Sequence, residues 1–346
     1  MLSSRSLVLA LSLFICGFGF GCKSELVLVE DSSGSQFEQY LQSSPIDIEI
    51  SHKYYFNVPY GENQRNVFDL WAPAQSRGKA LVIYIHGGGF RGGDKSAAWD
   101  GPSKFGIGPA QINEFLSENI AFASINYSLL TKDEQEGVIK CLKDGQRALQ
   151  FLRYHSQELG FDGTKIGLAG SSAGAGTALW LALNDDMAIS EGQDEISKVS
   201  TRVDAVAVQE TQSSYDIYRW SNDVFPEGKF PLEKLKQTAL GERLLNFYGV
   251  RTFDEVESEK YSEYRQEVDM LSMVGADDPP IYILNKQPFV PEKGNRVGNL
   301  LHSPYHAVAL REELRQSNVE HEVHIPAEGE KPKADQTIAN FLLKRL

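Results

Sequence analysis

From about residue 48 onward, β-rich apolar runs alternate with segments whose apolar positions recur at helical spacing. Ala80–Ile85 (ALVIYI) is a continuous apolar run, the pattern of a strand covered on both faces. The stretches 48–58, 67–71, 120–127, 165–169, 203–208, 281–284 and 320–325 also read as strands. Helices are predicted over 111–118, 136–159, 173–183, 306–317 and 335–346. In the longest of these, Val138, Cys141, Leu142, Ala148, Leu149 and Leu152 share one face. This alternation predicts an α/β fold, with a mostly parallel sheet flanked by helices. Residues 210–275 break the rhythm. They are rich in charge and aromatics and read as a lid-like helical insertion over the carboxyl end of the sheet. The aromatics there could line an acyl pocket, although aromatics at helical spacing are more often core.

The N-terminus has a different pattern. Arg5 is the only charged side chain before Lys23, and Leu7 to Phe20 is apolar or small. Those 14 residues fall short of the ~20 that span a bilayer as a helix. A basic start, a short apolar stretch and a small-residue end predict an export signal over residues 1–21. A membrane-anchor helix is the alternative, and the glycines at 17, 19 and 21 argue against it. Residues 22–45 are largely polar and acidic and read as a tether, which leaves residues 46–346 as the folded domain.

Composition narrows the function. Hydrophobic residues at 41% and charged residues at 23% fit a soluble globular domain and exclude a mostly disordered chain. A net charge of −13 repels phosphate backbones, so nucleic acid is not an expected partner. Three cysteines form no disulfide framework, and Cys141 reads as a small core residue.

Two glycine-rich turns carry the chemistry. Gly170-Ser171-Ser172-Ala173-Gly174 matches G-x-S-x-G between a predicted strand and a predicted helix. Such a turn is tight enough to demand small neighbours and to present Ser172 Oγ as a nucleophile. Ala80–Ile85 runs directly into His86-Gly87-Gly88-Gly89-Phe90, where backbone N–H groups can approach a substrate oxygen with no side chain in the way. The N–H groups of Gly87, Gly88 and Ala173 are the candidate oxyanion hole, and His86 is read as a brace for the loop.

In this order and context, the two motifs resemble those of the α/β-hydrolase superfamily. Within it they resemble the HGGG-bearing esterases of the hormone-sensitive-lipase-like and feruloyl-esterase-like branch. Phe68-Asp69-Leu70-Trp71-Ala72-Pro73 and Ser124-Ile125-Asn126-Tyr127 extend the resemblance, and relatives often hold a structural Asp where Asp144 stands. Gly21-Cys22 similarly resembles a bacterial lipoprotein signal, which implies a lipidated Cys22 and an envelope location, with plain secretion as the alternative. The esterase resemblance implies a small-molecule ester substrate and no cofactor or metal. An exported member of this branch would suit acetyl or feruloyl groups on polysaccharide.

The same resemblance requires an Asp after the seventh strand and a His after the eighth. The stretch Asn285-Lys286-Gln287-Pro288-Phe289-Val290-Pro291 holds no Asp. A second register, matched on Ser303-Pro304, puts Leu300 at the acid position with Asn299 beside it. No His follows His324, and His321 and His324 lie inside the strand itself. His302 is the remaining candidate base, with His306 four residues on. It either serves Ser172 from the acid's side of the pocket or flanks the helix near Pro304 and touches nothing reactive. Sequence alone favours the second, because a motif without geometry is only a hypothesis.

Two functions follow. One is an exported carboxylic-ester hydrolase with Ser172, His302 and a rearranged or incomplete triad. The other is a non-catalytic α/β-hydrolase-fold lipoprotein that binds a ligand or partner. A metal hydrolase built on the H-x-x-x-H spacing of His302 and His306 is a distant third, since no third ligand is evident nearby.

Overall fold

The computed structural model describes residues 35–100, 106–227, 230, 232–237, 239–289, 297–329 and 331–346. The export signal, Cys22 and the first part of the tether lie outside the described residues.

Nine strands form one sheet: β1 Leu41–Gln42, β2 His52–Pro59, β3 Val67–Pro73, β4 Ala80–Ile85, β5 Ile120–Ile125, β6 Ile166–Ser171, β7 Ala205–Gln209, β8 Ile281–Leu284 and β9 His321–His324. Their spatial order is β1-β2-β3-β5-β4-β6-β7-β8-β9. The first three strands and the β3–β5 pair are antiparallel, and the pairs from β5 through β9 are parallel. Every residue of β4, β5, β6, β7 and β8 is buried, which is why these strands read as unbroken apolar runs. The main helices are α1 Pro109–Ser117, α2 Ile139–Tyr154, α3 Ala173–Leu183, α4 Ala239–Tyr248, α5 Pro304–Gln316 and α6 Ile338–Leu343. Two apolar clusters, one on each face of the sheet, form the core.

The strand order creates the place for a site. After β4 the chain crosses to β5 on one side, then returns to β6 on the other side of β4. The connections therefore diverge between β4 and β6, and a crevice opens at their carboxyl ends. Ile85 and Gly170 are partners in the ladder, so the glycine loop and the serine turn leave the sheet side by side. Ser171 pairs with Gln209 on β7, and Gln209 pairs with Leu284 on β8. The residues that follow these three strands are thus neighbours in space.

Three sequence expectations need correction. The predicted tether ends too late: Leu41 and Gln42 pair with β2, and Phe37 is buried with its ring edge-on to Phe151. The folded unit therefore begins at Ser35. The long helix predicted over 136–159 is divided at His155 into α2 and the short turn Ser156–Leu159. The C-terminal helix is only Ile338–Leu343, capped by Thr337 Oγ1 accepting from Asn340 N at 3.1 Å.

The insertion is fastened to the body. Tyr215 Oη donates to the Ala173 carbonyl at 3.1 Å, Trp180 Nε1 donates to the Glu267 carbonyl at 2.8 Å, and Val138 N donates to the Phe247 carbonyl at 2.9 Å. Its Tyr215, Trp220, Phe225, Phe230, Phe247 and Tyr248 are buried in the main apolar cluster, so these rings are core. Cys141 is a free, buried thiol 3.0 Å from the Ser128 carbonyl, as a core residue would be. Asp144 Oδ2 accepts from Ser128 N at 2.7 Å, tying α2 to the segment after β5. Among the described residues, no helix is long and apolar enough to cross a membrane.

Candidate active site

Ser172 sits between β6 and α3 with φ 51° and ψ −118°, a backbone conformation that a residue with a Cβ rarely adopts. The turn is held by close approach. A Cβ at Gly174 would collide with the Ile85 carbonyl oxygen, so the first turn of α3 can lie against the end of β4 only with glycine there. Ser172 N donates to the Gln209 carbonyl at 3.0 Å and locks the turn to β7. The N–H of Ala173, first in α3, has no acceptor inside the helix and is available to a ligand.

The glycine loop lies against this turn. A Cβ at Gly87 would stand 3.2 Å from Ser172 Cβ. Gly88 has φ 125°, and a Cβ there would collide with the Gly92 carbonyl. His86 is fully buried and stacks on Tyr127 with ring centroids 4.4 Å apart. Burial pushes its pKa down to about 4, so the ring is neutral. His86 Nδ1 donates to the Gly87 carbonyl at 2.6 Å, which fixes the loop as a brace would.

His302 Nε2 lies 2.7 Å from Ser172 Oγ. The expectation that His302 flanks α5 and touches nothing reactive is therefore corrected. The physical reason is the anchoring of its loop. Asn285, buried at the end of β8, donates through Nδ2 to the His302 carbonyl at 3.1 Å. Ser303 caps α5 on the other side, its Oγ accepting from Tyr305 N. Burial lowers the His302 pKa below the ordinary 6.5, a nearby Glu210 charge opposes that, and the Arg243 charge adds to it. The imidazole is consequently neutral near pH 7, the form that can accept a proton.

Among the described residues between β8 and His302 there is no carboxylate: Asn285 holds backbone, Leu300 is buried and Asn299 is exposed. A carboxylate whose charge acts on His302 stands at the neighbouring strand end. Glu210 follows β7, is buried at 8% exposure, and has φ 55°. Its N donates to the Leu284 carbonyl at 2.9 Å, and its Oε1 accepts from Gln287 Nε2 at 2.9 Å. A charged residue directly after a parallel strand, at the carboxyl end of the sheet where ligands bind, was the available signal in Val208-Gln209-Glu210.

The metal reading of His302 and His306 is also corrected. His306 is fully buried, its Nδ1 facing Ser213 Oγ at 3.0 Å and its Nε2 donating to the Leu300 carbonyl at 3.1 Å. Burial lowers its pKa to about 3, and its ring packs edge-on to Trp220. It is a core histidine. His321 and His324 lie in β9, as expected. Among the described residues, no group of His, Cys, Asp and Glu is arranged to hold a metal ion.

Known proteins resemble this chain in sequence and in fold. The probable isoprenylcysteine alpha-carbonyl methylesterase ICMEL1 of Arabidopsis thaliana is 29% identical over 166 residues, 46% of this chain. The chain spans only 32% of that relative's length. Solved structures share the fold. A truncated carbohydrate esterase from gut microbiota superposes with a TM-score of 0.56 at 14% identity, over 83% of this chain and 88% of that one. An acetyl ester-xyloside bifunctional hydrolase from Caldicellulosiruptor lactoaceticus does so with a TM-score of 0.56 at 16% identity, over 87% and 97%. The butyrate-bound esterase Est2 of Thermogutta terrifontis gives 0.53 at 16% identity, over 83% and 90%. The BD-FAE family model matches residues 68–293, which contain the glycine loop, the serine turn and Glu210, and the chain belongs to this family of α/β-hydrolase esterases.

Proposed function

We propose that the protein hydrolyses carboxylic esters with Ser172 as nucleophile, His302 as general base and Glu210 as the carboxylate that steadies the imidazolium. The observation that carries this reading is the 2.7 Å contact between Ser172 Oγ and His302 Nε2 at a strained strand–helix turn. His302 takes the Ser172 proton as Oγ attacks the carbonyl carbon. The resulting oxyanion is held by the N–H groups of Gly87, Gly88 and Ala173, each such donor supplying ~3–4 kcal/mol to the transition state. His302 then gives the proton to the leaving alkoxide, and the acyl group stays on Ser172. Water, deprotonated by the same imidazole, releases the acid and restores the serine. Against the usual order, the acid and the base each arise one strand earlier, Glu210 after β7 and His302 after β8.

The solved neighbours named for carbohydrate and acetyl esters support short acyl groups on carbohydrate as the substrate class. The apolar stretch Leu7–Phe20 and Gly21-Cys22 support export with Cys22 lipidated. Metabolic labelling with a fatty-acid analogue should be lost in Cys22→Ser; labelling that is absent in the wild type would leave simple secretion.

The reading is tested by p-nitrophenyl acetate hydrolysis across pH. Activity should rise through an apparent pKa below 6.5, the direction set by burial of His302, and be level by neutral pH. A rate that does not exceed that of Ser172→Ala at any pH would overturn it.

A further inference from the structure

Arg243 lies on α4, in the insertion, and its guanidinium reaches the glycine loop. A Cβ built on Gly89 would stand 2.7 Å from Arg243 Nη2. Gly87, two residues earlier, packs on Ser172, so the short loop Gly87-Gly88-Gly89 adjoins both the nucleophile turn and the guanidinium. Its charge acts on His302, and the Arg91 charge acts on it in turn, so two cations lie near the site.

Among the described residues, neither guanidinium forms an ion pair with a carboxylate. Arg243 Nε is buried with no hydrogen-bond partner. Other arginines of the insertion are paired. Arg219 meets Asp223 and Asp269, and Arg265 meets Asp216, all at 3.0 Å. Arginines that hold this region together are thus given carboxylates, and the one beside the active site is not. A half-buried guanidinium without a counter-ion costs free energy in the empty protein, and a bound anion removes that cost. Its planar fork suits a carboxylate in two-point contact.

We propose that Arg243, with Arg91 at the rim, binds a carboxylate carried by the ester substrate itself, next to the scissile bond. A half-ester of a dicarboxylic acid carries such a group on its acyl chain. This inference rests on the serine-esterase reading above and adds the charge of the substrate to it.

The test uses two acyl esters of one leaving group, p-nitrophenyl acetate and p-nitrophenyl hemiglutarate, with the wild type, Arg243→Gln and Arg243→Lys. The wild type should favour the anionic ester in kcat/KM, and added salt should weaken that preference. Arg243→Gln should reduce the anionic-to-neutral ratio by roughly ten- to a hundredfold, as loss of a charge-assisted hydrogen bond implies. Arg243→Lys should retain part of it. An unchanged ratio would overturn the proposal. So would an equal fall in kcat for both esters, which would make Arg243 a helper of the oxyanion. A binding measurement separates this proposal from the catalytic reading. Calorimetric titration of monomethyl glutarate into Ser172→Ala protein should show salt-sensitive binding that Ser172→Ala/Arg243→Gln loses. If that binding is present while the wild type hydrolyses neither ester, the anion site stands and the esterase reading falls. If it is absent, the anion site falls whatever the turnover.

Discussion

Ser172→Ala is expected to lower kcat on the order of a million-fold for any ester the wild type hydrolyses well. In the proposed reaction this hydroxyl takes the acyl chain, and its attack depends on losing a proton to His302, 2.7 Å away. His302→Ala should therefore cost about as much as Ser172→Ala, and the double variant no more than either, because the two residues act as one unit. A residual acceleration of roughly 10³–10⁴ over water is expected from the oxyanion donors and binding alone. Single-turnover assays on purified variants with unchanged melting temperatures measure this. Additive losses would show that Ser172 and His302 do not share a step. His306→Gln is the control: its ring is tied to Ser213 and the Leu300 carbonyl, so substitution should lower stability while the surviving folded protein keeps its turnover.

Glu210→Gln is expected to reduce kcat by up to about 10⁴-fold, the size seen when a serine triad loses its carboxylate without losing its shape. The acid's work is to favour the imidazolium that forms as Ser172 gives up its proton. The pH profile carries the specific signature. The Glu210 charge raises the His302 pKa against burial, so its removal should move the acid limb of activity to lower pH. Arg243 acts with the opposite sign, and Arg243→Gln should move that limb to higher pH. Glu210 also accepts a hydrogen bond from Gln287, so a purely structural role would change the melting temperature and leave the limb where it is. Opposite displacements in the two variants would show that both charges act on His302. Identical profiles in the wild type and Glu210→Gln would remove Glu210 from the mechanism.

Much of the fold was legible because buried parallel strands leave no room for polar alternation. ALVIYI and the strands beside it could be read directly, and the glycine turns that follow β4 and β6 were placed by the strand ends themselves. Ser172, Gly87, Gly88 and Ala173 belong to local turns, where spacing along the chain fixes spacing in space. His302 and Glu210 do not. His302 lies 130 residues from Ser172, and bonds from residues distant in sequence, among them the Asn285 amide at the end of β8, hold its loop in place. Glu210 was overlooked because the resemblance directs attention one strand further on, to a position where the chain has Asn285. Arg243 gave no sequence signal at all, since a single arginine on an amphipathic helix reads as a solvated face. At the N-terminal edge, polar composition concealed Phe37, one buried ring that carries the adjoining residues into the fold.

The central claim is that Ser172 is a nucleophile activated by His302. Reaction with a fluorophosphonate, followed by intact-mass and peptide mass spectrometry, tests it without assuming a substrate. One adduct per chain, located on Ser172, absent in Ser172→Ala and formed far more slowly in His302→Ala, is the expected result. Labelling that is absent in the folded wild type, or that persists unchanged in Ser172→Ala, would contradict it.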